Sequence, residues 1–127
     1  SGLDVTHRLQ ATPGRIAQVR ALPGQLANVL ADLFDFFTNV YVSRHDNMQG
    51  GAVHDPCAVL ALTHPTLFEH RASHVVVETA GVYTRGMTVI DQRGLIERLP
   101  PNRDVLWDVD ADSAFAVIVE AIAHFSR

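Results

Sequence analysis

Three consecutive residues, His54-Asp55-Pro56, bring together a proton donor, a hard oxygen ligand and a backbone constraint. A residue before proline is pushed toward extended backbone, so Asp55 reads as the N-cap of a helix and Pro56 as its first residue. As a cap, the Asp55 carboxylate does no more than accept amide hydrogens, worth about 1 kcal/mol. As chemistry, it offers oxygens to a hard cation. His54, with an ordinary pKa close to neutrality, would then protonate a leaving group beside it. Residue types by themselves favour the cap.

The other polar candidates weigh less. His70 and His74 stand four apart and would share a helical face as zinc ligands, but no H-E-x-x-H pattern accompanies them and no third ligand is evident. Surface histidines are the better expectation. His45-Asp46 repeats the dipeptide in a polar loop without a following proline, which suits a solvated pair. Cys57 follows Pro56 at a helix start, where a thiol pKa can fall; a small buried residue is the simpler expectation. In Thr84-Arg85-Gly86-Met87-Thr88, Arg85 is expected on a strand with a structural role.

The elements that must position these residues follow from periodicity. Thr12-Pro13 opens a short helix through Ile16 and Val19 that ends before Pro23. Leu26, Val29, Leu30, Leu33, Phe34, Phe37, Val40 and Tyr41 recur at intervals of three and four, predicting a helix from about Gly24 to Ser43 with that face buried. On this stripe Phe34, Phe37 and Tyr41 are explained by core packing alone. A polar loop, Arg44 to Ala52, leads to the Asp55-Pro56 helix, which should reach Leu62 before Pro65. Val75-Val76-Val77 and Tyr83 to Ile90 predict an antiparallel strand pair with Gly81 in the turn, and Val105, Trp107 and Val109 alternate as a further strand. Phe115, Ile118, Val119, Ile122 and Phe125 mark a last helix, and Gly2 to Thr6 is expected to be an opening strand with an exposed edge. The result is an α/β chain with an antiparallel pair and about four helices.

Composition excludes several classes. The chain has 127 residues, the size of one domain, of which 47% are apolar and 19% charged. No run approaches the roughly 18 apolar residues of a membrane span, so no membrane partner is expected. The formal charge of −4 and the lack of a basic patch argue against nucleic acid. A single cysteine, Cys57, precludes an internal disulfide and points to a reducing, cytoplasmic setting.

Several separated motifs coincide in order along the chain. V-H-D-P-C-A-V from Val53 to Val59, E-T-A-G-V-Y-T-R-G-M-T-V-I-D from Glu78 to Asp91, the opening G-L-D-V-T-H with A-T-P after it, F-F-T-N-V-Y from Phe36 to Tyr41, and Pro101-Asn102 together resemble the inosine-uridine-preferring nucleoside hydrolase family. The resemblance covers essentially the whole chain and implies the C-terminal part of a nucleoside-hydrolase-like open sheet. It implies hydrolysis of the N-glycosidic bond of ribonucleosides to ribose and free base, with His54 as catalytic acid and Asp55 as a Ca2+ ligand. It implies that Tyr41 is a substrate-facing aromatic residue on a mobile segment. Phe37 falls where some members have a second tyrosine, so ring packing survives there without the hydroxyl. A homo-oligomer is also expected.

One departure is large. The acidic D-x-D-x-x-x-D-D cluster that supplies most calcium ligands in the family is absent from this sequence. Ca2+ takes roughly 6–8 oxygen ligands, and Asp55 offers two at most. The 127-residue chain alone is therefore expected not to hold the metal tightly or to turn over. A non-catalytic relative acting as a self-association or partner-binding module is the alternative.

Overall fold

The structure is a computed structural model and describes residues 1–90, 92 and 99–126. Thr12 caps the helix α2 (Pro13–Arg20), its hydroxyl accepting from the Arg15 amide, with Pro13 at the first position as its fixed φ favours. The long helix α3 (Gln25–Val42) follows after Gly24, whose φ of 94° is left-handed. A Cβ there would collide with the Ser126 carbonyl oxygen, so glycine is what lets the start of α3 approach the end of the last helix, α5 (Ala111–Phe125). Asp110 caps α5 by accepting from the Ser113 amide and hydroxyl.

The strands form three two-stranded antiparallel ladders among the described residues. β1 (Gln10–Ala11) pairs with β2 (Gly51–Ala52), and β3 (Phe68–Ser73) pairs with β6 (Arg103–Val109). β4 (Val75–Val77) pairs with β5 (Thr88–Ile90), the pair predicted from the valine runs, in the register Val75↔Ile90 to Val77↔Thr88. β5 is shorter than the expected Tyr83–Ile90, because residues 82–86 form turns. Asp91, which ends the Glu78–Asp91 motif, lies outside the described residues.

The core is a cluster that includes Val5, Leu9, Ile16, Val19, Cys57, Leu60, Leu106, Val109 and Phe115, drawn from both halves of the sequence. Phe34 packs on Phe115 with ring centroids 6.1 Å apart, the core role expected of it. Two ion pairs brace the periphery, Arg8 with Asp108 and Arg15 with Asp112.

Four expectations are corrected. Gly2–Thr6 is not a strand: Leu3–Thr6 is a single helical turn, α1, which turns Val5 and Thr6 inward, and no strand edge is presented there. With that turn the described residues form five α-helices, in keeping with the about four expected. The buried stripe of α3 is Ala27, Ala31 and Thr38, small residues that let α2 and β2 approach closely, while Leu26, Val29, Leu33, Phe36 and Val40 are exposed. In β6 the inward residues are Leu106 and Val109; the register shift opposite Glu69 and His70 inserts Trp107 as an extra residue and changes which face points inward. Trp107 instead lies under the Arg71 guanidinium, 4.2 Å from its ring centre. Finally, His70 is on β3 rather than on a helix. Its Nδ1 is bonded to Asp104 and its Nε2 to the Pro65 carbonyl oxygen, which removes the zinc reading with His74.

Candidate active site around His54

The helix that carries His54 is α4 (His54–Thr63). Its start is fixed by the β1–β2 ladder, which the Val53 amide extends by donating to the Leu9 carbonyl. Val53, not Asp55, is the N-cap, and no side chain caps the helix. Asp55 is therefore free of the bland role the sequence favoured for it: it lies exposed in the first turn, not consumed as a cap. An anionic group there also suits the positive end of the helix dipole.

His54 is half-buried and held at both ring nitrogens. Its Nδ1 lies 2.8 Å from the Thr6 hydroxyl at the end of α1, and its Nε2 lies 3.2 Å from the Tyr41 hydroxyl at the end of α3. The Tyr41 hydroxyl also meets His7 Nε2 at 3.0 Å. Three elements distant in sequence thus converge on one imidazole. Burial, the largest influence, and the neighbouring His7 push the His54 pKa down, and Asp55 opposes them. The favoured form at neutral pH is an uncharged imidazole carrying one N–H.

Aromatic rings line this group. Phe37 lies 5.3 Å from Tyr41, centroid to centroid, and the His45 ring lies 4.6 Å from Tyr41 at an interplanar angle of 32°. His45 is exposed but not merely solvated, because it stacks on Tyr41. The Phe37 ring passes so close to Gly51 that a Cβ there would overlap it. Thr38, one residue on, donates to the Ala11 carbonyl at 2.9 Å and accepts from the Gly51 amide at 3.0 Å, tying α3 to both strands of the first ladder. Those contacts fix the C-terminal turns of α3 over His54.

His54, Asp55, Tyr41 and Phe37, all singled out in the sequence, are gathered here. His7 and Thr6 were not singled out, although both sit in the opening G-L-D-V-T-H motif. Their only signal was that motif, and the expected strand hid it. Cys57 is buried, and burial pushes its thiol pKa up, which makes it a packing residue and not a nucleophile. Among the described residues no group of three or more His, Cys, Asp or Glu side chains is placed to hold a metal ion. Asp55 by itself cannot satisfy Ca2+, so the described residues do not fit a complete calcium site.

A sequence model of the inosine-uridine preferring nucleoside hydrolases matches residues 1–116. The chain belongs to that family. It corresponds to the family's C-terminal portion. It is 36% identical over 126 residues to a pyrimidine-specific ribonucleoside hydrolase, RihA, of Shewanella woodyi, covering 99% of this chain and 40% of the relative. Its structure is similar to that of a purine-preferring ribonucleoside hydrolase of Gardnerella vaginalis, with a TM-score of 0.80 and 29% identity, over 98% of this chain and 40% of the other. A plant nucleoside hydrolase shares the fold at a TM-score of 0.79 and 18% identity, over 97% of this chain and 40% of the other. The chain thus spans about two-fifths of the length of these relatives. The mixed α/β architecture is that of nucleoside hydrolases.

Proposed function

We propose that this chain forms a single domain that supplies the leaving-group side of a ribonucleoside N-ribohydrolase. In the reaction water adds to the anomeric carbon and gives up one proton to a carboxylate of the acidic cluster outside this sequence, the N-glycosidic bond breaks with its electron pair passing to the nucleobase, and the nucleobase takes up a proton. His54 supplies that proton from Nε2 as its Nδ1 takes one up from solvent, so the ring stays neutral; Tyr41 and Phe37 pack against the substrate, and Asp55 is one ligand of Ca2+. The remaining calcium ligands would come from an acidic N-terminal cluster outside this sequence. The observation that carries the reading is the pairing at the start of α4: an imidazole oriented from both sides next to a carboxylate that caps nothing. A positioned acid is typically worth about 10²–10⁴ in rate, whereas an aromatic contact adds roughly 0.5–1.5 kcal/mol beyond area burial. His54 therefore carries the chemistry and Tyr41 the positioning.

The test is ribose release from a panel of purine and pyrimidine ribonucleosides, with Ca2+ present, by a protein that carries this chain together with the acidic cluster. The two relatives have opposite base preferences in their names, so the panel must hold both classes. His54→Ala is expected to lower turnover of purine nucleosides at least about tenfold with calcium binding nearly unchanged. Asp55→Ala is expected to weaken the metal and abolish activity. Equal, mild losses from both would overturn these roles. The 127-residue chain alone is expected to be inactive.

A cytoplasmic location belongs to this reading, supported by the lone buried cysteine. No helix among the described residues is long and apolar enough to cross a membrane. A homo-oligomer is supported by the apolar stripe on α3, where Leu33 is 56% and Phe36 71% exposed. The same stripe favours a second reading, a non-catalytic relative that uses this surface for self-association. Activity of the protein carrying the acidic cluster would eliminate it.

A further inference from the structure

The Tyr41 hydroxyl stands between two imidazole nitrogens, His7 Nε2 at 3.0 Å and His54 Nε2 at 3.2 Å. A phenol has one hydrogen, so it donates to one of the two and accepts from the other. Thr6 decides the direction. Thr6 is buried, and among the described residues its hydroxyl is hydrogen-bonded to His54 Nδ1 and to no other protein group. A buried hydroxyl with a single partner donates to it, because accepting would leave its own hydrogen without an acceptor. Thr6 therefore donates to His54 Nδ1. The His54 proton is then on Nε2 and is donated to the Tyr41 oxygen, and Tyr41 in turn donates to His7 Nε2. His7 carries its own hydrogen on Nδ1.

We propose that His7 is a positioning residue: by accepting the Tyr41 hydrogen it closes this chain and holds His54 in the tautomer whose proton is on Nε2, the nitrogen turned toward Tyr41. The catalytic use of that proton rests on the reading of His54 as the acid. Without His7, the acceptor left to the Tyr41 hydrogen among the described residues is His54 Nε2. Donation there drives the His54 proton to Nδ1, on the side turned to Thr6 and away from Tyr41.

Imidazole nitrogen shifts from long-range proton–nitrogen correlation NMR test this in the 127-residue chain, at about pH 8.5, above the ordinary histidine range. His54 is expected protonated on Nε2 and His7 on Nδ1. His7→Leu should move the His54 proton to Nδ1. His7→Gln, whose carbonyl oxygen accepts in place of the imidazole, should restore the original pattern. Should His7→Leu fail to fold, Tyr41→Phe serves: removing the phenol hydrogen should release His7 from its single tautomer into a mixture. A wild-type His54 protonated on Nδ1, an unchanged His54 in His7→Leu, or a persisting single His7 tautomer in Tyr41→Phe would each overturn the proposal. In the complete hydrolase, His7→Leu should lower kcat with little change in KM, and His7→Gln should recover it. Tautomers are read without substrate, so an inactive protein with the expected tautomers defeats only the hydrolase reading. An active protein with the wrong ones defeats only the role of His7.

Discussion

Two histidines of this chain are displaced in opposite directions, and the reasons differ. His54 is pushed down mainly by burial, with His7 adding to it, whereas His70 is pushed up mainly by its hydrogen bond to Asp104. Ring-proton titration should therefore find His54 below and His70 above the ordinary histidine midpoint. The stability consequences have opposite signs. The fold prefers neutral His54, so its contribution is complete above the ordinary histidine range and is lost as pH falls from there through the depressed folded value. The fold prefers charged His70, so its contribution is present below the ordinary range and is lost as pH rises through the raised value. The His70–Asp104 pair lies at the surface, with Asp104 60% exposed, and solvent screening makes its share small. Denaturant midpoints across mildly acidic pH should lose most of their slope in His54→Gln and little of it in His70→Gln. The reverse would mean that burial does not govern His54.

At the scale of elements, the site depends on where α3 ends. Gly24 sets its start against α5, and Thr38 sets its last turns against the β1–β2 ladder. Gly24→Ala forces a left-handed φ on a residue with a Cβ and drives that Cβ into the Ser126 carbonyl. It should cost more than about 1 kcal/mol, read as a lowered urea midpoint. Thr38→Val keeps the shape and removes the hydroxyl, leaving the Ala11 carbonyl and the Gly51 amide without that partner; about 1–3 kcal/mol should be lost. Because Phe37 and Tyr41 flank Thr38 on the same helix, this variant should also loosen the Tyr41–His54 contact. An unchanged His54 titration in Thr38→Val would show that the strands do not position α3. Gly51→Ala, which brings a methyl group onto the Phe37 ring, tests the same junction from the ladder side.

For the molecule as a whole, the notable surface is the apolar stripe of α3. Leu26, Val29, Leu33 and Phe36 follow helical spacing and are all exposed. Exposed contiguous apolar surface is normally covered by something. Sedimentation of the 127-residue chain should therefore show association that rises with concentration, and Leu33→Glu with Phe36→Glu should abolish it without lowering the urea midpoint. A monomer at every concentration would remove the stripe as support for a homo-oligomer.

The sequence determined much of the element plan by itself. The extent of α2, α3 and α5 and the β4–β5 pair follow from local signals: proline at a helix start, the three-four repeat of apolar residues, and clustered valines. Motif resemblance also singled out His54, Asp55, Tyr41 and Phe37 as candidates. Local pattern could not say which apolar face of α3 points inward, because alanine and threonine pack at close approach while larger residues on the same helix remain outside. Nor could it place α1 or orient β6, since a four-residue apolar run suits helix and strand alike and a bulge is set by pairing with a distant strand. Only the tertiary structure brought His7 and Thr6, from the opening turn, to the hydroxyl and imidazole of Tyr41 and His54. Hydrogen bonds between residues 34 and 48 positions apart leave no periodicity to read, and packing alone decides them.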